Sequence, residues 1–237
     1  MLSLDRQNDL RQRYQNQNPD WQPATEVFAN WVRHYLRPSS RILDIGCGRG
    51  GLVEQLEHSL TQIVGIDPDW NSLQEHRLNL PRVVAISNDL PFATNSFDVT
   101  YASWVLEHLQ EPLQTFASLS RVLRPGGVFV FITPNGRHPL ATLNHSLGRF
   151  GQVQGKLVER FYDRAADDAF PTYYRANKQN EIESLCQQTG LVLERLTAVA
   201  DPTYLAFNQI MYRLMCAFEE RLSDGRKLHL VGVVRKA

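Results

Sequence analysis

The sequence predicts an α/β fold with a mostly parallel sheet and helices on both faces. From residue 41 onward, short runs rich in β-branched residues alternate with amphipathic stretches. This alternation is typical of βαβ units. A glycine-rich turn, GCGRGG at 46–51, follows the first apolar run. Such turns come directly after the first strand in nucleotide-binding α/β folds.

The individual elements follow from periodicity and turn chemistry. Residues 24–36 space apolar side chains as one face of a leading helix. A second helix begins at Pro112 and stops before Arg124-Pro125-Gly126-Gly127, which we interpret as a turn. The predicted strands of the first part are RILDI (41–45), QIVGID (62–67), RVVAIS (82–87), FDVTYA (97–102) and GVFVFIT (127–133).

The C-terminal part contains another helix–strand unit. Asn177 is positioned to cap a helix that ends at Gly190, which suits the left-handed C-terminal position. LVLERLTAV (191–199) then predicts a strand, and LHLVGVVRK predicts a closing strand at an edge of the sheet. Between them lies a helix near 204–222 with an apolar stripe, formed by Phe207, Ile210, Met211, Leu214, Met215, Phe218 and Leu222.

Residues 134–176 are too long and too mixed for an ordinary connection, so we expect a substrate-binding insertion or lid. The sequence as a whole predicts one domain over 1–237. Its expected parts are N-terminal cap helices (1–40), a cofactor-binding core (41–133), the insertion (134–176) and the C-terminal part of the sheet (177–237).

Composition limits the class of protein. Lys plus Arg and Asp plus Glu number 25 each, so no net field favours nucleic acid. No segment has the apolar length of a signal peptide or a membrane span, which predicts a cytoplasmic protein. Cys47, Cys186 and Cys216 form no C-x-x-C pair, and no metal-ligand spacing is present. We therefore expect no disulfide and no metal.

The glycine turn fits two cofactors. Gly46, Gly48 and Gly51 match the dinucleotide spacing G-x-G-x-x-G, whereas Gly46, Gly48 and Gly50 give G-x-G-x-G. Asp44 favours a cationic ligand, because a carboxylate there would repel a pyrophosphate but attract the sulfonium and ammonium of S-adenosylmethionine.

Four motifs resemble class I S-adenosylmethionine-dependent methyltransferases, a broad group that includes the ubiquinone and menaquinone biosynthesis methyltransferases. They are LDIGCGRGGL (43–52), GIDPD (65–69), NDLPFATNSFDVTYASWVLEHL (88–109) and SRVLRPGGVFVFITPN (120–135). The resemblance implies a Rossmann-like, seven-stranded sheet with an antiparallel last strand. It also implies S-adenosylmethionine as cofactor, S-adenosylhomocysteine as product, and methyl transfer by in-line displacement.

The resemblance also implies roles for particular residues. Asp44, Gly46, Cys47, Gly48 and Gly50 would surround the methionine part of the cofactor. Asp67 would hold the ribose hydroxyls, with Pro68 beside it. The adenine would be bordered by Asn88, Asp89 and Leu90, and the methyl-transfer centre by Ser103 and Trp104.

Catalytic and acceptor residues are less constrained. Cys47 could be a nucleophile, but a small buried thiol is the commoner case. His108 is a candidate general base, with a structural histidine as the alternative. Candidate acceptor contacts are His138, His145, Tyr173, Tyr174 and Arg175.

The expected acceptor is a small molecule, aromatic or lipid-like. The apolar stripe could face such an acceptor or a second subunit of a homodimer, or it could pack on the core. Two alternatives to an active methyltransferase stay open. One is a catalytically inactive cofactor-binding partner protein of the same fold, and the other is a nicotinamide-dependent oxidoreductase.

Overall fold

The computed structural model describes residues 4–142, 170–204, 206 and 208–237, with side chains from residue 8 onward. Its strands are β1 (Ile42–Ile45), β2 (Ile63–Asp67), β3 (Arg82–Val84), β4 (Phe97–Ser103), β5 (Leu123–Pro134), β6 (Leu191–Val199) and β7 (His229–Lys236). Its helices are α1 (Leu4–Gln17), α2 (Ala24–Tyr35), α3 (Trp70–Gln74), α4 (Pro112–Val122), α5 (Gln179–Thr189) and α6 (Gln209–Arg221).

The strands form one seven-stranded sheet in the order β3-β2-β1-β4-β5-β7-β6. Strands β1 to β5 are parallel, and β7 is antiparallel to both of its neighbours. The predicted fold class is therefore confirmed, including the reversed last strand. The chain crosses over between β3 and β4 to the other side of β1, which creates a switch point at the carboxyl ends of β1 and β4.

The predicted edge position of the last strand is wrong. Strand β7 lies between β5 and β6, and β6 forms the edge. The physical reason is burial: the six residues from His229 to Val234 are all buried, so β7 needs cover on both faces and a partner on both sides.

Two apolar layers enclose the sheet. Leu43, Phe129 and Phe131 point to the face covered by α4 and α5, whereas Ile42 and Val130 point to the face covered by α2. The alternation along each strand separates these two sets, as the pleat of a strand requires. Helices therefore pack on both faces, as expected.

Two local predictions need correction. Helix α4 ends at Val122 as predicted, but 124–127 is not a free turn. It lies inside β5, where the pairing with β4 jumps from Phe97↔Leu123 to Val99↔Val128, and Gly126 has φ +77° in this bulge. Asn177 does not cap α5, because the N-cap residue is Lys178, and the Asn177 side chain instead donates to Thr133 Oγ1 (2.6 Å) and to the Pro134 carbonyl.

Helix α6 differs from the predicted apolar stripe. Ile210 and Leu214 are 73% and 59% exposed, and the buried residues of the helix are Tyr212, Met215 and Glu219. Tyr212 packs with Leu10 of α1, so α6 contacts the N-terminal helix. Phe207 of the stripe lies outside the described residues. Among the described helices, none combines the length and apolarity that a membrane crossing demands.

Candidate active site

The glycine turn after β1 is folded back onto β2. The amides of Gly46 and Cys47 both donate to the Ile66 carbonyl, at 2.8 and 3.0 Å. Gly46 has φ +72°, and a Cβ atom there would lie 2.5 Å from Cγ2 of Val105. The turn therefore requires glycine at position 46 for both conformation and space.

The backbone after the glycine turn gives little support to a dinucleotide site. A single 3₁₀ turn, Leu52–Gln55, comes after Gly51, and no α-helix lies between β1 and β2, a stretch that is fully described. An extended helix N-terminus is what stabilises a pyrophosphate in dinucleotide-binding folds. The short 3₁₀ turn in its place weakens the oxidoreductase alternative.

Asp44 is a buried acid beside this turn. Its side chain is 5% exposed, and the Tyr101 hydroxyl on β4 donates to its Oδ2 atom at 2.9 Å. Burial, opposed by the Tyr101 hydrogen bond and assisted by the Asp67 charge, raises the pKa of Asp44 to about 7. A cation placed beside Asp44 would favour the ionised carboxylate and lower this pKa.

Asp67 ends β2 and reaches back to the glycine turn. Its Oδ2 atom accepts from the Gly48 amide at 3.0 Å, and Oδ1 accepts from the Asp69 amide at 2.9 Å. Burial raises the pKa of Asp67 despite these two bonds. A carboxylate has about four acceptor sites, so each oxygen keeps capacity for a ligand hydroxyl. Pro68 lies between Asp67 and Asp69, whose side chain caps α3.

The thiol of Cys47 is a packing group. It is 3% exposed and lies over Gly65, where a Cβ atom would be 2.7 Å from Sγ. Burial and the charges of Asp44 and Asp67 raise the pKa of Cys47 to about 12. The thiolate needed for nucleophilic catalysis is therefore disfavoured.

The predicted adenine border follows β3. Leu90 is 1% exposed, Asn88 is half-buried and Asp89 is exposed. The Oδ1 atom of Asn88 is buried and has no hydrogen-bond partner among the described residues. Such an acceptor is available to an amine of a ligand.

Trp104 occupies a strained position just after β4. Its φ is +60°, and its amide donates to the Ile132 carbonyl at 3.0 Å. A left-handed conformation costs a bulky residue roughly 1–3 kcal/mol. Its indole ring meets the His229 ring edge-to-face at 4.9 Å. Ser103, the last residue of β4, is half-buried beside it.

The sequence did not single out Glu107, which is buried in the turn after Trp104. Its carboxylate accepts from Thr133 Oγ1 at 3.0 Å, and burial, opposed by its hydrogen bonds, raises its pKa to about 7. Its backbone carbonyl accepts from the amides of Tyr173 and Tyr174. Glu107 therefore ties the end of the 134–176 stretch to the carboxyl edge of the sheet. The sequence signal for this role was slight: Glu107 is an acidic residue within the otherwise largely apolar stretch SWVLEHL.

Three of the predicted acceptor residues lie near His108. The Nδ1 atom of His108 is 2.9 Å from the Pro171 carbonyl. Arg175 lies 5.6 Å from the centre of the Tyr173 ring and donates to the Gln110 carbonyl. Tyr174 has φ +52°. His108, Tyr173, Tyr174 and Arg175 thus belong to one cluster held against the turn after β4.

His138 is placed differently. Its side chain is fully buried, with Nε2 3.3 Å from Oε1 of Glu219 on α6. No acceptor can contact it while this pair is in place. His145 lies outside the described residues, as do 143–169 of the predicted insertion.

Sequence reasoning also missed His229 and Asp201. Both are buried at the carboxyl edge of the sheet, where β7 begins and β6 has ended. Histidine in an apolar strand (LHLVGVV) was the available signal. Among the described residues, no group of three or more His, Cys, Asp or Glu side chains could hold a metal ion.

The described site fits S-adenosylmethionine. The glycine turn keeps its backbone partly exposed at Gly46, Gly48 and Gly50, and a buried acid, Asp44, borders this cradle. Asp67 lies at the next strand end, with acceptor capacity for ribose hydroxyls. A donor with two cationic centres matches this acidic, otherwise apolar edge.

Comparisons with known proteins point to the same cofactor. Residues 43–131 match a methyltransferase domain family. The chain is 25% identical over 215 residues to the ubiquinone biosynthesis O-methyltransferase of Nitrosospira multiformis, covering 84% of each chain. It is 28% identical over 202 residues to the protein of the same name from Nitrosococcus oceani, covering 80% of this chain and 81% of that one.

A solved structure shares the fold. The geranyl diphosphate C-methyltransferase of Streptomyces coelicolor, in complex with Mg²⁺, geranyl diphosphate and S-adenosyl-L-homocysteine, has a TM-score of 0.59 and 14% identity. The alignment covers 90% of this chain and 77% of that one. Residues 43–131 therefore match a methyltransferase domain, and the chain as a whole is similar in sequence to methyltransferases and shares their fold.

Proposed function

We propose that the protein transfers the methyl group of S-adenosylmethionine to a hydroxyl oxygen of a small aromatic acceptor. The observation that carries this proposal is the extent of the similarity. Two relatives named as ubiquinone biosynthesis O-methyltransferases align over at least four fifths of this chain, well beyond the cofactor core at 43–131. The shared region therefore includes segments that could recognise an acceptor.

Each candidate cofactor residue is assigned to the part of S-adenosylmethionine that its position in the fold favours. Asp44 faces the cationic part of the donor, and the glycines at 46, 48 and 50, with Cys47, line its methionine part. Asp67 and Pro68 hold the ribose, because the two carboxylate oxygens each already order one backbone amide and can accept one more bond. Adenine lies against Asn88, Asp89 and Leu90, where the free Oδ1 of Asn88 accepts from its amine.

The acceptor binds next to Trp104 and Ser103. The cluster of His108, Tyr173, Tyr174 and Arg175 offers two phenol rings and a guanidinium at the mouth of this site. Such groups suit a flat ring with a polar or anionic substituent. Residues 134–176 act as the acceptor-binding segment, and the exposed Ile210 and Leu214 of α6 offer an apolar surface to a lipid-like tail.

When bound, S-adenosylmethionine supplies an activated methyl group. The chain's contribution is to bind and orient both partners for in-line displacement and to exclude water. Asp44 stabilises the positive charge of the bound donor. The Trp104 side chain packs beside the acceptor.

The test is a panel of acceptors incubated with the purified chain and S-adenosylmethionine. Phenols and catechols, with and without an isoprenoid tail, are compared with sugars, amines and fatty acids. We expect S-adenosylhomocysteine release with the aromatic hydroxyl compounds, and a methyl group on oxygen when the product is analysed by mass spectrometry and NMR. No release with any aromatic hydroxyl compound would contradict the proposal.

A matched pair of variants tests the cofactor assignment. Asp67→Asn should weaken S-adenosylhomocysteine binding about tenfold or more, because a charged acceptor contributes roughly 1.5–3 kcal/mol. Asp69→Asn in the same turn should leave binding nearly unchanged, because asparagine also caps α3. Calorimetric titration measures both. Equal affinities for the two variants would remove Asp67 from the ribose role.

A further inference from the structure

His229 and Asp201 lie next to each other at the carboxyl edge of the sheet, and neither belongs to the four methyltransferase motifs. His229 begins β7 and pairs with Pro134 at the end of β5 and Val199 at the end of β6. Asp201 follows β6 by two residues. The two side chains lie where parallel α/β sheets bind their ligands.

Asp201 is held as an anion directed at His229. Its Oδ2 atom lies 3.6 Å from Nε2 of His229, an ion-pair distance, and 3.4 Å from Nη2 of Arg11 on α1. Its Oδ1 atom accepts from the amide and the hydroxyl of Thr203, at 3.0 and 2.5 Å. Burial alone would raise the pKa of Asp201, but His229, Arg11 and Thr203 together hold it at about 2.

The other ring nitrogen of His229 is unused. The side chain is 7% exposed, and Nδ1 is buried with no hydrogen-bond partner among the described residues. A buried polar atom without a partner costs roughly 1–3 kcal/mol, so it calls for a ligand or a function. With Asp201 on the Nε2 side, the proton of the neutral ring belongs on Nε2, and Nδ1 carries a lone pair.

His229 also touches the methyl-transfer region. Its ring packs edge-to-face on Trp104 at 4.9 Å, and Trp104 directly follows the end of β4. The Tyr204 ring lies on His229 from the loop after β6, at 6.3 Å. The titratable and charged groups that face this histidine are thus Asp201, Tyr204 and, through Asp201, Arg11.

We propose that His229 is the general base that deprotonates the acceptor hydroxyl, and that Asp201 is its positioning residue. This inference rests on the proposed function and deepens it, because it specifies an acceptor that must lose a proton. It also assigns the role of base to His229 in place of His108, whose Nδ1 atom already lies 2.9 Å from the Pro171 carbonyl.

The hydroxyl proton of the acceptor moves to Nδ1 of His229 while the oxygen forms a bond to the methyl carbon. The carbon–sulfur bond breaks, and its electron pair stays on sulfur as the neutral thioether. Asp201 stabilises the imidazolium, which then releases the proton to water. Atoms and charge therefore balance with the acceptor, the donor and this histidine alone.

The first test reads proton transfer without turnover. The chromogenic phenol 4-nitrocatechol is bound to the S-adenosylhomocysteine complex, and its visible absorbance reports its ionisation. We expect the wild-type complex to bind the probe in its ionised form at a pH where the free probe is neutral. His229→Gln should bind the probe in neutral form, and the control His58→Gln, at the amino edge of the sheet near Ser40, should behave as wild type.

The second test is kinetic. With an un-ionised phenolic acceptor at neutral pH, His229→Gln should lower kcat roughly 10²–10⁴-fold with little change in S-adenosylhomocysteine affinity. The loss should shrink as pH approaches the acceptor's own pKa. Asp201→Asn should lower kcat less than His229→Gln does and leave the KM for the acceptor unchanged, because the imidazolium formed during transfer loses its anion.

Three results would overturn the assignment. They are a wild-type complex that fails to bind or ionise the probe, a His229→Gln variant with an unchanged rate and pH profile, and a rate loss of the same size with a pre-ionised acceptor. The failure of the proposed function is distinct, since it is read from the acceptor panel with wild-type protein alone.

Discussion

Gly46 and Gly190 adopt nearly the same backbone conformation, with φ of +72° and +70°. Their surroundings differ. A Cβ atom on Gly46 would lie 2.5 Å from Cγ2 of Val105, whereas one on Gly190, which ends α5, would meet nothing within 4 Å. Alanine substitutions at these two glycines therefore separate the free-energy cost of a left-handed backbone from the additional cost of a clash with Val105.

Gly190→Ala should lower the free energy of unfolding by about 1–2 kcal/mol from backbone strain, with S-adenosylhomocysteine affinity unchanged. Gly46→Ala should carry the same strain and, in addition, lose cofactor binding, because Val105 or the turn must move. Urea unfolding and calorimetric titration measure the two effects. The double variant Gly46→Ala/Val105→Ala should recover part of the affinity. If Gly46→Ala binds as tightly as Gly190→Ala, the cradle is not at this turn.

At the residue scale, the sequence indicates candidate site residues only where the signal is local. Asp44, Gly46 and Asp67 could be chosen because each lies at or next to the end of a buried strand. The partner of Asp44 could not, since Tyr101 reaches it only through the β1–β4 pairing. His229 escaped notice for the same reason, because its neighbours Trp104 and Asp201 come from distant segments.

At the scale of elements, α6 is joined to the body by a buried polar contact. His138, just after β5, and Glu219, on α6, are both fully buried, with Nε2 and Oε1 3.3 Å apart. Neither Glu219 oxygen has a well-oriented hydrogen bond among the described residues. The Leu140 amide donates to Nδ1 of His138, so the ring proton lies on Nε2, which faces Glu219, and each side chain is the polar neighbour of the other.

His138→Leu should destabilise the protein by roughly 1–3 kcal/mol, because it leaves the Glu219 carboxyl group buried without its polar neighbour. Glu219→Leu should cost a similar amount, because it leaves Nε2 of His138 buried without its neighbour. The double variant His138→Leu/Glu219→Leu should be more stable than His138→Leu alone. Chemical unfolding of the four proteins gives the coupling energy. Simple additivity of the two single changes would show that the contact carries no coupling.

The predicted apolar stripe of α6 was wrong at two positions, whereas Met215 is buried and Met211, Phe218 and Leu222 are half-buried. Helical periodicity selects apolar positions, so it included Ile210 and Leu214, which are exposed, and passed over Glu219, which is buried. The position of β7 has a similar origin. Its residues indicate burial on both faces, but the order of strands is set by pairing between segments, which periodicity along one segment does not contain.

At the scale of the whole molecule, the carboxyl edge of the sheet concentrates buried acids. Asp44 and Glu107 both have pKa values raised to about 7, in each case mainly by burial. In the unfolded chain these groups titrate near pH 4. Between roughly pH 4 and 7 the folded protein therefore binds more protons than the unfolded chain.

These raised pKa values determine the direction in which the free energy of unfolding changes with pH. The free energy of unfolding of the ligand-free protein should fall as pH rises from about 4 to about 7, by an amount on the order of a few kcal/mol. Asp201, with a pKa of about 2, acts in the opposite sense and only in stronger acid. Urea unfolding across this window measures the slope, and Asp44→Asn and Glu107→Gln should each remove part of it.

The affinity for the cofactor should change with pH in the opposite direction, and Asp44 alone should account for this change. Because a cationic donor favours the ionised carboxylate, the affinity for S-adenosylmethionine should increase with pH across the same window. Asp44→Asn should abolish that increase, whereas Glu107→Gln should preserve it, since Glu107 binds Thr133 and not the donor. Titration calorimetry at about pH 6 and about pH 8 separates the two acids. A pH dependence that survives in Asp44→Asn would place the cationic group of the donor beside a different residue.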